Sequence, residues 1–396
     1  VFNILAAESG SNFLEQELSV VVLLAIAAAM AIVVKRVKVP YTVALVLVGL
    51  AFAFFPDFVD INFSPELILG LLIPPLLFEA TLHLPWPKLK ADLVPVLLFA
   101  IGGTMLGTFA VGWIVWAFVG IPWLAAVAFG ALISATDPVA VIAFFKSLGV
   151  TKRLSVLVEG ESLFNDAVAF VAFTLAVSAA KPDESFAIGG AISDFLIVGG
   201  GGLAVGIFLG GFVSQIVLAN VDDPLIETTT TLALAYGSFL VAEEFGLIIG
   251  VDGLHFSGIL AIVAAGLMVG HYGLHNTSAT TRVTLETFWE VLAFLVNSFV
   301  FLVIGLRINL REIDIAENAL NVLIAIAAVL FIRAIIVYGF GKIHSAVQPS
   351  RHVPRAFSHV MYWGGLRGAI SLALALLLEK SDFSPEVVET VLVMTF

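Results

Sequence analysis

The chain has no cysteine among its 396 residues and little charge, with Asp, Glu, Lys and Arg together making 12%. The first absence excludes disulfides, thiolate nucleophiles and cysteine-held zinc or iron-sulfur centres. The second excludes an ordinary soluble domain, in which about 25% of residues are charged. The histidines form no HExxH motif. His83, His271, His275, His344 and His352 read as loop residues, and His255 and His359 as residues at helix edges. No basic segment precedes the first apolar run, so that run reads as a retained span and not as a cleavable signal. With a net charge of -12, no nucleic-acid partner is expected.

What is abundant is apolar surface: 60% of residues are hydrophobic and the mean hydropathy is +1.10. Such a chain is an all-α polytopic membrane protein whose first partner is the lipid bilayer. At about 20 apolar residues per span, the runs 18–34, 41–55, 66–82, 93–119, 123–145, 155–180, 189–218, 226–245, 254–270, 285–306, 318–341, 356–378 and 387 onward predict about thirteen helices. The last stops inside the run VVETVLVMTF, so the C-terminal end is expected to be truncated. Lys35, Arg36, Lys38, Lys88, Lys90, Lys146, Lys152, Arg153, Arg282, Lys342, Arg351 and Arg355 all fall in odd-numbered loops. By the positive-inside rule those loops face the cytoplasm, which puts the N-terminus outside and the C-terminus inside, in the plasma (cell inner) membrane.

Two predicted helices are interrupted. The fifth contains SATDPVAV, where Pro138 removes a helix hydrogen bond and Asp137 is placed to cap a restarting segment. The twelfth contains WGGLRGAI, with three glycines around Arg367. If helices 1–6 and 8–13 form two halves of opposite sense, each interruption lies in the fifth helix of its half. Paired interruptions of this kind point to a secondary-transporter binding site. Gly199–Gly202 and Gly210–Gly211, in the seventh helix between the halves, suit close helix packing better than phosphate binding.

The densest intramembrane polarity is in EGESLFNDAVAFVAF, Glu159–Phe173. A charge buried in hydrocarbon costs roughly 2.5–3.5 kcal/mol, so such residues line a polar pathway or pair with one another. At 100° per residue, Glu159, Ser162 and Asp166 share a wedge of about 60°, and Glu161 and Asn165 share a second beside it. Asp137, Asp166, Arg333 and Arg367 lie near the middle of their spans, two acids and two bases at one depth. Asp166 is the candidate transport carboxylate, able to hold a cation or a proton; a purely structural ion pair with Arg333 or Arg367 is the alternative. Sodium takes oxygen ligands, and an unwound helix supplies free carbonyls. The candidate cation site is therefore the Asp166 carboxylate, the Ser162 hydroxyl and the Thr136 carbonyl, with Asn165 and Glu79 nearby. Ser162 has a second role open to it, bonding back to its own helix. Glu79 follows Pro74-Pro75, a pair expected to disrupt the third helix, and faces either the site or water. Glu161 is the natural partner of Arg333, and Arg367 offsets helix-end charges and Asp137.

Through FEATL, SATDPVAV, GESLFNDAVAF, FIRAI and GGLRGAISLALAL, in this order, the sequence resembles the monovalent cation/proton antiporters of the CPA1 family, the NhaP-type and sodium/proton exchangers. The resemblance implies an inverted-repeat antiporter fold with two discontinuous crossing helices and an elevator-type homodimer. A core bundle (about 93–180 and 318–396) would move against a dimerisation scaffold (about 18–82 and 189–306). It maps the Asn-Asp pair to Asn165 and Asp166, the crossover to Thr136, Asp137 and Pro138, the core ion pair to Glu161 and Arg333, and a second arginine to Arg367. Exchange of Na+ for H+, electroneutral and one for one, with no cofactor and a role in pH homeostasis, follows from it. Li+ and K+ remain open as substrates, and a cation channel or a solute symporter are the competing classes.

Overall fold

The computed structural model describes residues 21–22, 24–34, 41–53, 68–137, 141, 151–181, 188–251, 253–307, 315–365 and 367–395. Its elements are helical: α1 (Leu24–Val34), α2 (Tyr41–Ala53), α3 (Leu69–His83), α4 (Leu93–Val119), α5 (Trp123–Ser134), α6 (Lys152–Ser178), α7 (Gly189–Val217), α8 (Pro224–Glu243), α9 (Gly258–Asn276), α10 (Ala279–Arg307), α11 (Ile315–Val347), α12 (Arg355–Trp363), α13 (Ala369–Leu378) and α14 (Pro385–Thr395). Among the described residues, seven helices are long and apolar enough to cross a membrane: α4, α6, α7, α8, α9, α10 and α11. Each apolar run read from the sequence overlaps one or more of these helices. Two helices run on past their predicted ends: His271 and His275 lie within the last turns of α9, and His344 is buried in α11 rather than in a loop. Residues 245–249 form a separate short helix, and left-handed Gly250 and Gly253 follow it, so this segment is a connection between α8 and α9.

In lipid, helices gain nothing from mutual hydrophobicity, and close packing of small residues does the work. Three intimate pairs show it. A Cβ on Gly49 of α2 would lie 2.9 Å from the Gly305 Cα of α10, one on Gly112 of α4 2.9 Å from the Ala126 carbonyl of α5, and one on Gly206 of α7 2.7 Å from the Ala264 Cβ of α9. The glycine-rich seventh helix is thus a packing face.

The Pro74-Pro75 pair does not disrupt α3, against expectation. The helix widens to a π turn over Ile68–Leu72 and continues. Neither proline can donate to the Leu71 carbonyl; the Tyr236 hydroxyl of α8 donates to it instead, at 3.0 Å.

α6 lies among α4, α5 and α13, and α11 packs on α4, α12 and α14. At one end, Asp92 ahead of α4 is gripped by Arg153 of α6, with Nη2 at 2.8 Å and Nε at 3.0 Å. Arg153 also donates to the carbonyls of Arg351 (2.9 Å) and His352 (3.1 Å) in the α11–α12 connection. Basic residues that read only as topology markers therefore hold three elements together.

Replacing Gly206 by Leu should drive α7 and α9 apart and cost about 1–3 kcal/mol, the range for overpacking a tight contact. Gly200→Ala, where a Cβ meets nothing within 4 Å, should be neutral; thermal unfolding of both purified variants measures the difference.

Candidate functional site

α5 stops at Ser134, and Ala135 leaves helical geometry with φ -64° and ψ 133°. The sequence gives the reason: Pro138 has no N–H for the Ser134 carbonyl and disfavours helical geometry in the residue before it. Pro138 and the expected restarting segment lie outside the described residues. The break frees main-chain groups of Ala135 and Thr136, both buried, and side chains from two other elements take them up.

α6 supplies the first set. The Ser162 hydroxyl donates to the Thr136 carbonyl. Asn165 clasps the same residue twice: its Nδ2 donates to Thr136 Oγ1 at 2.6 Å, and its Oδ1 accepts from the Thr136 N–H at 3.4 Å. The second break supplies the rest. Arg367 Nη1 and the Ser371 hydroxyl each donate to the Ala135 carbonyl at 3.2 Å. The cation of Arg367 thereby meets the negative end of α5.

The second break runs between α12 and α13. Gly364 closes α12 with a hydrogen bond to the Val360 carbonyl (2.7 Å), and extended Gly368 starts α13. Two of its glycines make room for charged side chains. A Cβ on Gly365 would lie 2.9 Å from Arg333 Nε, and one on Gly368 would lie 2.8 Å from Asp137 Oδ2.

Glu161 and Arg333 form an ion pair at 2.7 Å, with side chains 4% and 14% exposed. Arg333 Nη2 donates to the Met361 carbonyl at 2.9 Å, in the last turn of α12. Asp166 is half-buried on the next face of α6 and near enough to Asp137 for their charges to interact; Arg333 and Arg367 are neighbours in the same sense. Two acids that repel and two bases that repel are thus gathered where two helices are interrupted.

The structure brings Thr136, Ser162 and Asn165 together, joins Glu161 to Arg333, and places Asp137 and Arg367 at the facing breaks. Glu79 differs. Its described partner is His83, one turn along α3 at 3.2 Å, and its side chain is 27% exposed. Ser371, Gly368 and the Met361 carbonyl did not stand out in the sequence. A signal existed for Ser371, a small hydroxyl one turn after Arg367 in an otherwise apolar run. Chemically, the centre gathers carboxylate, carbonyl, hydroxyl and amide oxygens beside a fixed positive charge.

The family described as "Sodium/hydrogen exchanger, transmembrane" matches residues 21–396. The Na+/H+ antiporter ApNhaP of Aphanothece halophytica is 42% identical over 86% of this chain and 63% of its own length. The Na+/H+ antiporter NhaH of Halobacillus aidingensis is 36% identical over 96% of this chain and 92% of its own. This chain therefore spans less than two thirds of the Aphanothece protein. Among solved structures, the sodium proton antiporter MjNhaP1 from Methanocaldococcus jannaschii at pH 8 superposes with a TM-score of 0.81 at 20% identity, over 96% of this chain and 94% of that one.

Glu161→Ala should leave Arg333 uncompensated in a low-dielectric interior and cost about 3–5 kcal/mol, as for breaking one side of a buried pair. Arg333→Ala alone should be comparably damaging, and the double variant should cost clearly less than the sum. Additive losses in thermal stability would show that the pair does not act as one unit.

Proposed function

Since this chain belongs to the family of transmembrane sodium/hydrogen exchangers, we propose that it is a secondary transporter, not an enzyme, exchanging Na+ for H+ across a membrane. The observation that carries the reading is the knot of Thr136, Ser162 and Asn165 at an interrupted helix, with Asp166 the next residue of α6. It offers hard oxygen ligands and a single carboxylate not engaged with an arginine in any described ion pair. The substrate ion is held by the Asp166 carboxylate with the Thr136 carbonyl and the Ser162 hydroxyl, and Asn165 keeps that main chain in place. The Ser162 hydroxyl, now turned to Thr136, reorients to present a lone pair when the ion arrives. Glu79 serves the approach to the site rather than its ligand shell, in keeping with its exposure and its pairing with His83.

One carboxylate that carries either ion makes the exchange competitive. A proton on Asp166 removes the charge that attracts sodium, and bound sodium excludes the proton. With Glu161 neutralised by Arg333, Asp137 offset by Arg367 and Asn165 uncharged, a single charge turns over, which makes the cycle one sodium for one proton and electroneutral. Alternating access moves the bundle of α4–α6 and α11–α14 past a scaffold of the remaining helices in a homodimer. Its odd-numbered loops face the cytoplasm across the cell inner membrane, and lithium shares the site.

Asp166→Asn keeps the shape and removes the titrating group, so it should abolish exchange while the protein still purifies and unfolds normally. Retained exchange would take Asp166 out of the mechanism. In proteoliposomes with an internal pH dye, sodium-driven proton movement should be the same at zero and at large negative membrane potential. A potential-dependent flux would overturn the one-for-one cycle. Cation movement without protons would replace exchange by a channel.

A further inference from the structure

Beside Asn165 the bundle forms a partly open cavity of about 30 Å³ between α4, α5, α6 and α11. Its wall is apolar along Phe99, Val111, Ile332 and Ile336, but six polar residues converge on it: Thr104, Ser134, Glu161, Asn165, Arg333 and Arg367. Asp166, Asp137 and Ser162 do not line it. Asn165, which clasps Thr136, is thus the residue this cavity shares with the candidate ion site, and the ion pair and the second arginine line the cavity with it.

The lining decides what this chamber holds. Cavities that stay dry are apolar, and a water needs about 10–15 Å³ with two to four polar partners; both conditions are met here. A second metal cation is excluded by charge, because two guanidinium groups outweigh the single carboxylate, which Arg333 already contacts at 2.7 Å. The lining also leaves hydrogen-bonding capacity over. Ser134 Oγ donates to the Gly130 carbonyl at 2.6 Å and retains acceptor capacity. Arg333 donates through Nη1 to Glu161 and through Nη2 to the Met361 carbonyl, and its Nε is packed against Gly365.

We propose that this chamber is a resident water site. It holds about two ordered waters that join the Glu161–Arg333 pair to Asn165 and Arg367, so that Thr104, Ser134 and Gly107 act as positioning residues for the ion site. The waters give the charges that line the chamber a polar medium in which to adjust when Asp166 exchanges sodium for a proton. Hydration stands independently of the exchange reading; its effect on transport rests on that reading. Gly107 keeps the chamber open, because a Cβ there would lie 2.6 Å from Ser134 Oγ.

The test begins with a structure of the intact protein at a resolution that shows waters, prepared in chloride and again in gluconate. Two peaks within hydrogen-bond distance of the lining groups in both preparations are expected. A dry chamber, or density that disappears without chloride, overturns the proposal, the latter in favour of an anion. Gly107→Ala should lose at least one water and weaken sodium competition with protons by about tenfold in apparent KM, the scale on which partners that orient a ligand shell act. If that variant does not fold, Thr104→Val, which keeps the volume and removes one hydroxyl, takes its place. A variant that loses the water with its sodium KM unchanged overturns the positioning role. Wild-type protein that shows the waters but exchanges no sodium for protons would sink the function and leave the water site standing.

Discussion

A helix interrupted inside a membrane frees carbonyls and amides that lipid cannot satisfy, and satisfying them is the constraint on which this protein's centre depends. The Ala135 carbonyl shows how it is met. Beyond the end of α5 it accepts from Arg367 and Ser371, which come from the other interrupted segment. Thr136 is met by Ser162 and Asn165 of α6. Neither break could be formed at this depth without its neighbours, so breaks and partners are one cooperative unit.

The charges follow the same logic. Asp137 beside Asp166, or Arg333 beside Arg367, would be strongly unfavourable in isolation. Glu161 compensates Arg333 directly, and Arg367 is held against the negative end of α5. The Gly368 position gives Asp137 space that a side chain would take away. On the proposed reading, what remains is a carboxylate on α6 whose charge changes hands without dismantling the Glu161–Arg333 ion pair. A site that must bind and release needs this separation between a fixed electrostatic frame and one variable charge.

Around this centre the helices are joined by different means. The α2–α10, α4–α5 and α7–α9 pairs touch through glycine, where backbone meets backbone and dispersion replaces the hydrophobic effect. The α4, α6 and α11–α12 elements are pinned at one end by Asp92 and Arg153. Such a clasp ties the helix that carries Asp166 to its neighbours at one end of the bundle.

Much of this was legible in the sequence because burial in lipid makes polar residues conspicuous. The apolar runs located the helices. The depth of Glu161, Asn165, Asp166, Arg333 and Arg367 marked the centre, and the Pro and Gly clusters marked both interruptions. Other features depend on contacts between residues far apart in the chain. Nothing local tells that Tyr236 supplies the hydrogen bond two prolines deny to Leu71, and so keeps α3 continuous. Nor does it tell that Glu79 turns to His83, or that Ser371 reaches Ala135. The sequence by itself determined which groups had to be paired, since hydrocarbon leaves an unpaired one no solvent. Only the tertiary structure decided with whom, because a hydrogen bond depends on distances of a few tenths of an ångström that arise when separate helices pack.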